Sequence, residues 1–309
     1  MSDRAALVAY AERTIAAGSK SFAAAARLFD PATRERAMLL YAWCRACDDL
    51  ADGQALGHGM TRVTDGAARV ARMRALTAAA LAGTGTGEPA FDALAIVAAE
   101  TGLPARFAED LLAGFALDAE GWAPADEADL YRYCYHVAGA VGCMMAVVMG
   151  VDPAETGVLD RACDLGLAFQ LANVARDIGE DAEAGRCYLP ADWLDEAGVA
   201  RTALADPTSR PALAMLARRL AERAGRYEAS ARVGAAALPF RSAWAVLAAA
   251  GIYGDIARAV AARGEAALTR RVTTSRTAKL GWVARAWLQA RRRHAVAPRP
   301  RTGLWTRPR

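Results

Sequence analysis

From Thr33 to Leu50 the chain has no Gly or Pro and is dominated by Ala, Leu, Met and Arg, so the stretch predicts a helix. At about 100° per residue, Tyr41, Arg45, Asp48 and Asp52 stand at i, i+4, i+7 and i+11, within roughly 60° of one face. Met38, Leu39, Leu40, Trp43, Cys44 and Cys47 read as its core-facing remainder. Two carboxylates, a guanidinium and a phenol on so apolar a helix are costly unless their charge is compensated. A divalent cation would do this, because hard cations prefer carboxylate oxygens.

A second stripe has the same design. Val158 to Ile178 reads as another helix, on which Gln170, Asn173, Asp177 and Asp181 fall at i, i+3, i+7 and i+11, within roughly 80°. They stand among Leu165, Leu167, Phe169, Leu171 and Val174. Either stripe alone fits a solvated face near a helix end, since Asp52 precedes a Gly-rich loop over 53–66 and Asp181 precedes Gly185. Together, each with an Arg and an amide or phenol at helical spacing, they point to function. Facing each other in a bundle they would hold several Mg2+ ions. So many carboxylates around metal imply a bridging anion, best a diphosphate, with Arg45, Arg176 and Lys20 on its oxygens. Beside an apolar cavity, that arrangement suits ionisation of an allylic diphosphate. The departing anion is stabilised by metal and Arg, and the carbocation is shielded from water and steadied by aromatic faces.

The rest of the chain supports an all-α fold. Alanine is abundant and β-branched runs are scarce. With 309 residues and 54% apolar content, a large core is available. Helices are expected over Ala5–Ala16, Phe22–Phe29 (capped by Ser19 or Ser21), Ala67–Leu81, Ala90–Thr101, Pro104–Ala116 and Ser242–Ala262, with the acidic segment Asp118–Asp129 as a surface loop. Tyr133 to Val151 has no charged residue, but His136 and Gly139, Gly142 and Gly150 interrupt it, which suits a buried core helix better than a bilayer crossing. The six cysteines lie mostly in apolar helical stretches. Met1 to Ala17 carries Asp3, Arg4, Glu12 and Arg13, so the expectation is free thiols in a cytoplasmic protein. Cys44 and Cys47 have no second pair at zinc spacing, and His58, His136 and His294 are scattered, which argues against zinc or redox chemistry.

Charge is unevenly placed. The net +4 combines a balance of −8 over residues 1–265 with twelve Lys or Arg and no acid after Glu265. Residues 291–309, with Pro298, Pro300 and several Arg, are expected to form a disordered tail outside a single domain over 1–290. That tail reads either as a solvated terminus or as an attraction to anionic lipid, with Leu280–Leu288 and its Trp282 and Trp287 supporting attachment at the inner membrane surface. No recognition motif supports nucleic-acid binding.

The motifs carry a family resemblance over nearly the whole chain. Tyr41 to Asp52 and Asn173 to Asp181 resemble the paired aspartate motifs of the squalene and phytoene synthase family. Gly18 to Phe22, Tyr131 to Gly142, Ala168 to Asp177 and Gly185 to Pro190 resemble further blocks of it. The blocks are most similar to those of its bacterial, carotenoid-pathway branch. The Asn-x-x-Arg-Asp form of the second motif departs from the second Asp-Asp-x-x-Asp of chain-elongating prenyltransferases. The resemblance implies an isoprenoid synthase fold around a central cavity. It also implies head-to-head condensation of two geranylgeranyl diphosphates to phytoene through prephytoene diphosphate, in company with other carotenoid-pathway enzymes. The alternatives are a squalene-type or dehydrosqualene-type synthase acting on farnesyl diphosphate, or a non-catalytic lipid-binding homologue. By the same resemblance Asp48, Asp52, Asp177 and Asp181 bind Mg2+ or Mn2+ with Asn173 assisting. Tyr41, Arg45, Gln170, Arg176, Tyr253 and Arg271 match substrate-site positions, and Phe22, Val137 and Val141 line the tail pocket. Asp49 and Glu180 point off the stripes, and Tyr253 also fits a packed core tyrosine. NADPH is not required in such a reaction. Some bacterial members depend on ATP, for which the sequence shows no motif.

Overall fold

The computed structural model describes residues 3–18, 20–52, 65–297 and 299–309, without the side chains of Lys20, Ser21 and Asp52. The expected loop over 53–66 therefore lies outside the described residues except for its last two. Fourteen α-helices are described. In order they are α1 (Arg4–Gly18), α2 (Lys20–Ala26), α3 (Pro31–Asp52), α4 (Gly66–Leu81), α5 (Pro89–Thr101), α6 (Ala105–Ala119) and α7 (Glu127–Cys134). After a π-helical turn, Tyr135–Gly139, come α8 (Ala140–Val148), α9 (Thr156–Glu183), α10 (Ala191–Glu196), α11 (Arg210–Gly234), α12 (Phe240–Arg263), α13 (Glu265–Thr269) and α14 (Arg276–Arg291). No strand occurs among the described residues.

The two stripe-bearing helices form where the sequence predicts. In α3, Pro31 opens the helix and the Asp30 carboxylate accepts the Thr33 amide at 3.0 Å, satisfying an orphan donor of the first turn. Leu39, Leu40, Ala42, Trp43 and Cys47 are buried, and the Trp43 indole donates to Thr77 at 3.3 Å. At 28 residues α9 runs longer than expected, about 42 Å at the usual rise. It packs against α7, α8, α11, α12 and α13.

The apolar stretch from Tyr133 runs as one helical path through the end of α7, the π turn and α8, and its glycines set how closely it packs. A Cβ on Gly142 would stand 2.4 Å from the Ala162 carbonyl oxygen, and one on Gly166 would stand 2.3 Å from that of Ala138. At these points α9 and the π-turn/α8 segment cross backbone to backbone, and only glycine permits it. α12 is long and apolar enough to cross a membrane by length and composition alone, yet half of that apolar window is buried against its neighbours.

Two expectations about the C-terminal region need correction. Trp282 is turned inward over Gly251 and donates its indole N–H to Asp255, leaving Leu280, Trp287 and Leu288 as the exposed apolar residues of α14. The Arg- and Pro-rich terminus, expected to be disordered, folds back over the body. Arg301 donates to both oxygens of Asp164, from Nε at 2.8 Å and from Nη2 at 2.7 Å, and Arg307 lies 2.9 Å from Asp160. The Trp305 amide donates to the Tyr227 hydroxyl at 3.1 Å. Composition suggested a solvated tail, but Asp164 is fully buried and Asp160 nearly so, and buried carboxylates need cationic partners. Asp164→Ala should therefore destabilise the protein by about 3–5 kcal/mol in chemical denaturation, because it strands the Arg301 charge. Arg292→Ala, at an exposed position, should stay within about 0.5 kcal/mol. An Asp164→Ala loss as small as that of Arg292→Ala would show that the terminus is a bystander.

Candidate active site

The C-terminal end of α3, the start of α4, the end of α6, the α7/π-turn segment, the middle and end of α9 and residues 184–188 and 201–205 line a partly open cavity of about 870 Å³. That is near the upper end of the usual size for small-molecule sites, about 300–1,000 Å³. Asp48 and Ala51 of α3 and Gln170 and Ala182 of α9 share its wall. One residue of each polar stripe, Asp48 and Gln170, thus reaches the same cavity. Val70, Phe115, Trp122, Val137 and Leu204 supply the apolar lining.

Around that cavity the first stripe is tied together locally. The Arg45 guanidinium donates to Asp48 at 2.6 Å and lies 3.7 Å from Asp49, so Asp49, although off the stripe, shares its charge balance. Phe22 stacks on Tyr41 with ring centroids 5.2 Å apart. Gly18 passes so close that a Cβ there would stand 2.6 Å from the Tyr41 hydroxyl. Tyr41 Oη and Arg45 Nε are buried side by side, and although burial would lower the Arg45 pKa, the charge of Asp48 and the Tyr41 phenol hold it above its usual value.

On the second stripe Arg176 donates to its neighbour Asp177 at 2.7 Å, and Arg271 approaches the same carboxylate at 3.3 Å while pairing with Glu180. Burial alone would lower the Arg176 pKa, but the hydrogen bond and charge of Asp177 hold it above its usual value. Desolvation, reinforced by the charge of Asp177, pushes the Asp181 carboxyl up to about 6. Asp181 faces a small recess whose walls, Arg186, Cys187, Tyr188 and Leu204, also line the main cavity. Tyr253 stacks on Phe169 at 4.1 Å. Burial raises its pKa, with Arg176 lowering it and Tyr41 raising it, so the phenol lies within the electrostatic reach of both stripes.

Of the sequence-predicted site residues, Asp48, Gln170 and Val137 line the cavity and Asp181 lines the adjoining recess, whereas Phe22, Tyr41, Arg45, Arg176, Asp177, Tyr253 and Arg271 are not part of either lining. Asn173 is half-buried on the same helix, and Val141 is packed against the core and does not line the cavity. The side chains of Lys20 and Asp52 lie outside the described residues. Among the described residues no three carboxylate, thiol or imidazole groups converge on one point. The Asp48 and Asp177 carboxylates are instead held by guanidinium groups. The donor set still suits a divalent cation with an anion, because each stripe carries hard oxygen ligands and has an arginine paired to one of its carboxylates, Arg45 to Asp48 and Arg176 to Asp177.

The opposite wall was missed by sequence reasoning. Asp118 was expected in a surface loop but sits in the last turn of α6, where its carboxylate accepts hydrogen bonds from Tyr133 and Tyr188. Trp122, Tyr133, Tyr188 and Arg186 all line the cavity. Tyr133, Arg186 and Tyr188 stand in the blocks Tyr131 to Gly142 and Gly185 to Pro190, the signal that pointed to this wall, whereas Asp118 and Trp122 had none.

The chain matches the squalene/phytoene synthase family model over residues 15–278. It belongs to the squalene/phytoene synthase family. It is 48% identical to the 15-cis-phytoene synthase of a Paracoccus species, over 98% of each chain. It is also 48% identical to the phytoene synthase of Pseudescherichia vulneris, again over 98% of each. Among solved structures it resembles a dehydrosqualene synthase in complex with a ligand, with a TM-score of 0.80 and 26% identity, covering 92% of this chain and 96% of that one. A squalene synthase from Alicyclobacillus acidocaldarius, at 22% identity and a TM-score of 0.75 over 84% and 95% of the two chains, shares the fold. The architecture is thus the all-α isoprenoid synthase fold.

Proposed function

We propose that this family member is a phytoene synthase, joining two geranylgeranyl diphosphates head to head through prephytoene diphosphate with release of diphosphate. The observation that carries the reading is one large cavity reached by Asp48 and Gln170, one residue of each stripe, with Arg45 and Arg176 paired to the stripe carboxylates Asp48 and Asp177. Similarity to curated phytoene synthases over almost the whole chain supports it.

Asp48, Asp52, Asp177 and Asp181, with Asn173, would hold Mg2+ or Mn2+, which when bound neutralises the diphosphate and favours its departure. Tyr41 Oη and Arg45 Nε donate to diphosphate oxygens, and Arg176 and Arg271 are positioned to exchange Asp177 for the same anion. Gln170 and Tyr253 complete the polar end. Phe22, Val137 and the aromatic wall hold the prenyl chains and keep water from the cation. Purified protein given geranylgeranyl diphosphate and Mg2+, with and without ATP and NADPH, should yield phytoene without NADPH, and Asp177→Ala should lower diphosphate release at least about 100-fold without unfolding. Squalene formed only with NADPH from farnesyl diphosphate, or full activity in folded Asp177→Ala, would overturn the assignment.

The protein is further proposed to work at the cytoplasmic face of the membrane, where its greasy substrate and product reside and where later carotenoid-pathway enzymes take the product. Leu280, Trp287 and Leu288 of α14 and Val296 beyond it are exposed among Arg285, Arg291 and Arg292, apolar and cationic side chains that an anionic lipid surface would take up. Co-sedimentation with phosphatidylglycerol vesicles should exceed that with phosphatidylcholine and fall about tenfold in Trp287→Glu/Leu288→Glu. Equal binding to both lipids, or no effect of the substitutions, would refute that surface.

A further inference from the structure

The part of the cavity wall formed by the π turn has a rear side, and the last residues of the chain cover it. Tyr133 and Val137 line the cavity, whereas Tyr135 falls between them on the opposite face of the helical path and is 1% exposed. The Tyr135 hydroxyl donates to Asp110 of α6, and its ring meets the Trp305 indole with centroids 5.8 Å apart. The backbone of Trp305 is itself fixed: its amide donates to the Tyr227 hydroxyl of α11 at 3.1 Å, and its carbonyl accepts from Arg301 at 2.9 Å. Arg301 in turn pairs with Asp164 of α9, and the Arg307 guanidinium lies over the Phe107 ring of α6 at 5.7 Å. Gly303, at φ +70°, makes the bend that turns Trp305 inward, and the Leu304 amide closes it on the Arg301 carbonyl at 3.1 Å. The π turn is also wedged from its other sides. A Cβ on Gly114 of α6 would stand 2.7 Å from Val137, and one on Gly139 would stand 2.9 Å from both Cys163 and Leu167 of α9. In packing this close, a shift behind the turn is passed on to its front.

We infer that Trp305 is a positioning residue for chain-length selectivity: by backing Tyr135 it fixes the π turn, and through it the place of Val137 against the prenyl chain. The inference rests on the synthase reading above. A π turn replaces the usual i→i+4 bonds with i→i+5 bonds, so what packs around it decides where its side chains aim. Here α6 and α9 hold two sides, and Trp305 holds the rear. A wall fitted to a hydrocarbon chain separates ligands that differ by one methylene by about 10–200-fold. Geranylgeranyl and farnesyl diphosphate differ by a whole isoprene unit, so a small retreat of the wall is enough to change their ratio. Truncating the indole leaves a void behind Tyr135 into which the turn relaxes. Contacts are then lost mainly by the longer chain, which touches more of the wall. Arg301 and Asp164 anchor the segment, and Trp305 is the side chain through which it reaches the site.

The test is diphosphate release by the full-length Mg2+-loaded enzyme from geranylgeranyl and from farnesyl diphosphate, read as the ratio of the two kcat/KM values. Both substrates meet the same folded molecules, so partial unfolding lowers both values and leaves their ratio unchanged; a purely structural clasp would not move it. Trp305→Ala should shift the ratio about tenfold toward farnesyl diphosphate. Trp305→Phe, which keeps an aromatic ring against Tyr135, should stay within about threefold of wild type. On a Tyr135→Leu background, Trp305→Ala should change the ratio less than about twofold, because the connection is already cut. A Trp305→Ala ratio within about threefold of wild type, or shifts that multiply in the double variant, would overturn the inference. If Trp305→Ala does not fold, Trp305→Leu decides by the same ratio, and if Tyr135→Leu does not fold, the Trp305 variant decides alone. A folded wild type that releases diphosphate from neither substrate would overturn the synthase reading and this inference with it, whereas an active wild type with an unmoved ratio bears on Trp305 alone.

Discussion

The structure depends on the crossing of α9 with the π turn and α8. Gly142 lies against the backbone of Ala162, and Gly166 against that of Ala138, closer than any side chain would allow. Close packing transmits any added atom as displacement. A methyl at either crossing point would push α9 away from the segment that carries Tyr133 and Val137. Because α9 also carries Gln170, Asp177 and Asp181, the same crossing sets the distance between the acidic stripe and the aromatic wall. The π turn fits this role, since it re-aims side chains within an otherwise continuous helical path.

Charge is arranged around the cavity in two opposed styles. At the stripes, carboxylates and guanidiniums are paired but exchangeable: Arg45 with Asp48, and Arg176 and Arg271 with Asp177. Such pairs hold the site together and can be traded for an anion and a cation without leaving a net buried charge. At the other end of α9, Asp160 and Asp164 are locked by Arg307 and Arg301 from the chain's terminus. One helix therefore carries a fixed acidic pair that anchors the fold and an adjustable one that faces the site.

Much of this was legible in the sequence for one reason: helical period is readable wherever Gly and Pro are absent. The i, i+4, i+7, i+11 spacing of Tyr41, Arg45, Asp48 and Asp52 needed no structure, and neither did the matching stripe from Gln170. What escaped had composition pointing the wrong way. Asp118 begins an acidic, Gly- and Pro-containing segment that reads as loop, yet its backbone is still helical and its carboxylate is bound by phenols from two other elements. Tyr133 opens an apolar run and so reads as core. The terminus reads as disordered because Arg and Pro dominate it, and the Asp160 and Asp164 carboxylates that hold it lie more than a hundred residues away. Long-range pairing of charges leaves no local period.

The central claim is that both stripes hold a single diphosphate. Anomalous diffraction from crystals grown with Mn2+ and inorganic diphosphate tests it most directly. The account predicts Mn2+ ions bridging one diphosphate, with Asp48 coordinating from α3 and Asp177 or Asp181 from α9. Mn2+ bound at one stripe alone, or a diphosphate held away from Arg45 and Arg176, would contradict it.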